Sequence, residues 1–64
     1  MYLKVGDIIL NEMRKEFVVT SIYVDIVDKD TIVVLTRERT HTKKSATTIM
    51  RGLETGIYTR LYND

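Results

Sequence analysis

Apolar and β-branched residues crowd into two runs, "EFVVTSIYVDIV" and "TIVVLT", and both have the composition of strands. In the first, Val18, Thr20, Ile22, Val24 and Ile26 alternate with Phe17, Val19, Ser21, Tyr23 and Asp25. Successive strand side chains point to opposite faces, and the even set is the more consistently apolar, so it is expected to face inward. In the second run Ile32, Val33, Val34 and Leu35 are apolar on both faces, which predicts a central or curled strand. Between them, "VDKDT" predicts a hairpin, because Asp28 and Asp30 can bond their own backbone in a tight turn.

The flanking segments extend this pattern. Upstream, "LKVGDIIL" reads as a first strand interrupted at Gly6 and Asp7, where glycine accepts a positive φ and aspartate folds back on the backbone. "NEMRKE" is then a polar loop. Downstream, "TRERTHTKK" continues as strand and turn, with no Gly, Pro or Asn to mark the bend, and Glu38 and Arg39 are the expected place. "SATTIMRGLETG" changes period: Ala46, Ile49, Met50 and Leu53 fall on one face of a short helix. Ser45 can cap its start and Gly56 its end, while Gly52 weakens its interior by up to about 1 kcal/mol relative to alanine. The closing "GIYTRLYND" predicts a last strand. Ile57, Thr59 and Leu61 are expected inside, and Tyr58, Arg60 and Tyr62 on the wet face.

The fold expected from this order is mainly β: a small barrel of about five strands with one short helix before the last strand. Closure hides the sheet edges and lets the helix plug an end. The order resembles that of SH3-like small barrels, and Val5-Gly6-Asp7-Ile8-Ile9 is similar to the entry of the first strand in Tudor-like and KOW-like barrels. In outline the chain also resembles short phage and prophage products, which implies a place in the host cytoplasm.

Length and composition narrow the classes. Sixty-four residues make one domain, 1–64, whose core contributes a net of only about 3–5 kcal/mol. Cysteine is absent, so disulfides and thiolate metal sites are excluded, and a reducing compartment fits. Homo-oligomerisation is the remaining way to reinforce so small a core. No stretch reaches the length of a membrane span, and "MYLKVGD" lacks the features of a signal peptide. A cytoplasmic protein without a membrane partner is expected. Net charge is +1, but its distribution is uneven. Arg37, Arg39, Lys43, Lys44 and Arg51 face a single Glu38, whereas Asp25, Asp28 and Asp30 surround Lys29.

Candidate chemistry is sparse. His41 is the only histidine, Ser21 and Ser45 the only serines, and no partner at a telling spacing would activate a nucleophile. Gly52 and Gly56 lack the pattern of a phosphate loop, and the three aspartates lack the glycine and terminal glutamate of a calcium loop. No catalytic residues, metal or cofactor are expected. A non-enzymatic binding module is. Arg37, Arg39, Lys43, Lys44 and Arg51 could neutralise nucleic-acid phosphates, while Tyr58 and Tyr62 stack on bases and Arg60 assists between them. The alternative is a small phage-type inhibitor or adaptor that grips a host protein through the same tyrosines and arginines, alone or as a homo-oligomer.

Overall fold

A computed structural model of the chain describes residues 3–61. It is mainly β, with strands β1 (Ile8–Leu10), β2 (Glu16–Val24), β3 (Thr31–Arg37) and β4 (Thr40–Ser45), helix α1 (Ala46–Thr55), and strand β5 (Thr59–Leu61). All five strands form one antiparallel sheet in the order β4-β3-β2-β1-β5. β3 is an interior strand between β4 and β2, in keeping with its two apolar faces. A closed barrel is not shown: β4 and β5 lie at opposite edges of the sheet and do not pair among the described residues. Helix α1 instead carries the chain from one edge to the other, against β3, β4 and β5. Its Ala46 and Ile49 are buried with Leu3, Ile9, Val19, Val33 and Leu35, and Phe17, Ile22, Met50, Leu53 and Tyr58 pack around them.

The helix ends where its caps dictate. Ser45 is extended, its Oγ accepts the Thr48 N–H at 3.2 Å, and Gly56 takes the left-handed conformation at φ 82°. Ser45→Ala orphans that N–H and is expected to cost about 1 kcal/mol. A lower urea midpoint at unchanged slope would register the loss, and an unchanged midpoint would show that the hydroxyl contributes nothing.

Two facing assignments are corrected. On β2 the odd residues Phe17 and Val19 face the core, and of the even set only Ile22 packs on it; Val18, Thr20, Val24 and Ile26 are exposed. The cause is a β-bulge. Val19 pairs with Leu35 and Ser21 with Val34, so Thr20 is an extra residue and the alternation changes phase there. Around β5 the expected faces do not hold: Ile57 and Tyr58 precede the strand, and Leu61 is half-buried. Ile57 and Thr59 are exposed, Tyr58 packs on the core, and Arg60 pairs with Ile9 on the helix-facing side. Tyr62 lies outside the described residues.

The first strand opens as expected. Lys4 and Asp7 bracket a turn closed by Asp7 N–H to Lys4 O at 3.1 Å, with Gly6 in its third position at φ 99°. Gly6 N–H donates to Val19 O and Val19 N–H to Asp7 O, both at 2.8 Å, so two residues oppose one. This geometry drives Asp7 under the sheet, where it is buried. Its Oδ2 accepts the Lys4 N–H at 2.9 Å and meets Arg60 at 3.1 Å.

Candidate binding surfaces

The residues expected to bind a partner do not converge. Arg37 ends β3 half-buried, with its guanidinium 4.0 Å from Glu38. Glu38 and Arg39 form the two-residue β3–β4 turn between the paired Arg37 and Thr40, as expected. Glu38 carries the positive φ of 57° usually given to glycine, which is why composition left no marker there. Lys43 and Lys44 are neighbours on β4 and so face opposite ways. Lys43 pairs with Val34 on the outer face, while Lys44 pairs with buried Val33 on the helix side and is half-buried. Arg51 is exposed on α1, beside an open groove lined by Ala46, Thr47, Met50 and Glu54.

Tyr58 and Arg60 turn inward from the expected wet face and are half-buried. The Tyr58 ring fills the notch that Gly52 leaves in α1, and its N–H donates to Gly52 O at 2.9 Å. Arg60 is ion-paired with Asp7, the two side chains being 17% and 8% exposed. A buried carboxylate needs a cation, and a helix without a Cβ admits a ring. Together these long-range demands outweigh the inward pull of Ile57. The surface beside them, lined by Leu53, Gly56, Tyr58, Thr59 and Arg60, is an open depression and not an enclosed small-molecule site.

Two arrangements escaped sequence reasoning. On the outer face, Thr20 Oγ1, Thr36 Oγ1 and His41 Nδ1 form a chain with both links at 2.8 Å, across β2, β3 and β4. Cross-strand pairs of this kind contribute about 0.2–1 kcal/mol each. Their signal in the sequence is faint, because the bulge decides which threonine faces Thr36. His41 itself is exposed, as expected.

The second arrangement is the bonding inside the β2–β3 turn, whose hairpin is the one expected. Asp25 organises it, in place of the expected Asp28 and Asp30. Its Oδ1 accepts the N–H groups of Val27 at 2.9 Å and Asp28 at 3.3 Å. Its carbonyl accepts the Lys29 N–H at 2.6 Å, and its own N–H donates to Asp30 O at 2.7 Å. Lys29 takes φ 60° to close the loop. Asn11 builds the β1–β2 loop in the same way, its Oδ1 accepting the N–H groups of Met13 and Lys15 with Arg14 at φ 62°. The turn holds Ile26 and Val27 out at the tip, each 88% exposed, with Val24 also exposed behind them.

Among the described residues, no three His, Asp or Glu side chains converge as metal ligands, and no helix is long and apolar enough to cross a membrane. No family model matches the chain, and neither the curated proteins nor the solved structures contain a significant match to it.

Proposed function

We propose that this chain is a non-enzymatic binding module that grips another protein, built on an SH3-like barrel outline. The strand order, with β1 between β2 and β5 and a helix before the last strand, supports that outline. The observation that carries the function is the apolar tip of the β2–β3 turn. Two β-branched side chains held in water by an ordered loop add nothing to the core, and a partner that covers them gains their burial. This is the inhibitor or adaptor reading, placed in the cytoplasm of a host cell.

Nucleic-acid binding is the second reading, favoured by Arg39 in the β3–β4 turn and Lys43 on the outer face of β4, both exposed, where Glu38 is the one acid of residues 37–44. It loses support where Tyr58 and Arg60 turn inward, since stacking on bases needs an open aromatic face.

A pull-down of the tagged chain from cell extract, with and without nuclease, separates the two. The protein reading expects one defined band that survives nuclease. It fails if only oligonucleotide is recovered, with an affinity that falls steeply with salt and is weakened by Arg39→Glu with Lys43→Glu.

A further inference from the structure

We infer that the β2–β3 turn is a wedge whose receptor is an apolar pocket rimmed by lysine or arginine on another protein. The inference rests on the protein-binding reading above and deepens it, by naming the contacting residues and the chemistry they meet.

Two properties of the tip define the receptor. Ile26 and Val27 supply the apolar contact, and β-branching restricts their χ1 freedom, so immobilising them costs little entropy. The backbone beneath them is already ordered by four hydrogen bonds to Asp25, so the turn need not fold on contact. The second property is charge. Asp25, Asp28 and Asp30 stand against Lys29 alone within six residues of chain. Asp25 spends Oδ1 on the turn, which leaves the exposed Asp28 and Asp30 as the groups a partner reads.

Carboxylates beside an apolar pair exclude several occupants by repulsion. A phosphate backbone or an anionic lipid surface meets like charge, and so does the same tip of a second copy. An apolar pocket with a cationic rim satisfies both properties at once: the pocket takes Ile26 and Val27, and the rim takes Asp28 and Asp30.

The test places a photo-crosslinking amino acid at Lys29 of the tagged full-length chain, irradiates it in nuclease-treated cell extract, and maps the crosslinked peptide by mass spectrometry. The expected product is one protein, joined at a surface where apolar residues border Lys or Arg. Ile26→Asp with Val27→Asp should abolish the crosslink. Asp28→Lys with Asp30→Lys should slow association on the order of tenfold at low salt, and the difference should shrink in about 0.5 M salt. All four positions are exposed in a turn, and circular dichroism melts of the variants would check that they fold.

Each other outcome overturns a different part. A mapped surface without basic residues, or charge reversal without effect, removes the cationic rim and leaves the protein-binding reading standing. A crosslink to another copy of the chain makes self-association the occupant. A nuclease-resistant partner that never crosslinks at position 29 moves the site away from the tip. Recovery of no protein partner by any route defeats the underlying reading as well.

Discussion

Replacing Arg60 with methionine is expected to cost about 3–5 kcal/mol, which is comparable to the entire stability of so small a domain. The reason is the group it leaves behind. Asp7 lies 8% exposed beneath the sheet, and the guanidinium 3.1 Å away is its ion-pair partner, while the Lys4 N–H supplies one further bond. Methionine keeps much of the stem volume and removes the charge, so the carboxylate becomes a buried, uncompensated anion. The pair also ties the turn before β1 to β5, a strand of three residues that needs the anchor. Asp7→Asn should cost less on its own, because the amide oxygen still accepts from Lys4 and Arg60, at 17% exposure, can reach water. Combining the two changes should recover part of what Arg60→Met loses, since no buried charge then remains. Urea melts of the four proteins at neutral pH close this cycle. A single variant Arg60→Met that melts within about 0.5 kcal/mol of the parent would show that the pair holds nothing together.

The same pair marks where sequence reasoning reaches its limit. Local signals decide part of the fold. Ser45 and Gly56 bound the helix, Gly6 and Asp7 bend the entry to β1, and the apolar run from Ile32 to Leu35 makes β3 an interior strand. Each of these is decided within a few residues of chain. The facing of β2 is not, because "FVV" and "IYV" are apolar in either phase and only the pairing with β3 reveals Thr20 as the inserted residue. The facing of β5 depends on partners still farther away in sequence. Counting aliphatics favours Ile57 and Leu61, but one phenol ring and one guanidinium have better-matched places inside: a notch at Gly52 and a carboxylate at Asp7.

That placement redistributes the candidate surface. With Tyr58 and Arg60 engaged in the fold, the expected face loses the Tyr58 ring and one of its cations, and Lys43 and Lys44 separate onto opposite sides of β4. What stays exposed is polarised. The β2–β3 turn carries aliphatics and carboxylates, and the β3–β4 turn at the other end of β3 carries Arg39. Seven residues of β3 separate the two turns, on the order of 20 Å at strand rise. A ligand small enough to occupy one end does not touch the other, so mutations at the two ends should separate protein capture from any binding of phosphate.

Gly52→Ala is expected to destabilise the chain by about 1–3 kcal/mol, although helix propensity alone argues for a gain of up to about 1 kcal/mol. A Cβ built on Gly52 would lie 2.2 Å from Cδ2 of Tyr58, 2.7 Å from Cε2 and 3.0 Å from Cγ. The last of these is the root of the ring, so a small swing of its far edge does not relieve the clash. Nor can the backbone of Tyr58 retreat freely, because its N–H is bonded to Gly52 O at 2.9 Å. Either the ring leaves the core or α1 lifts from the sheet, and both expose apolar surface around Leu53 and Ile49. A thermal melt should therefore fall by about 4–8 °C for each kcal/mol lost in a domain this small. The sign identifies the cause. In a Tyr58→Leu background the notch no longer holds a ring, and Gly52→Ala should become neutral or stabilising. A rise in melting temperature for Gly52→Ala with Tyr58 intact would mean that the ring lies outside the notch, which would return Tyr58 to the surface and revive its stacking role.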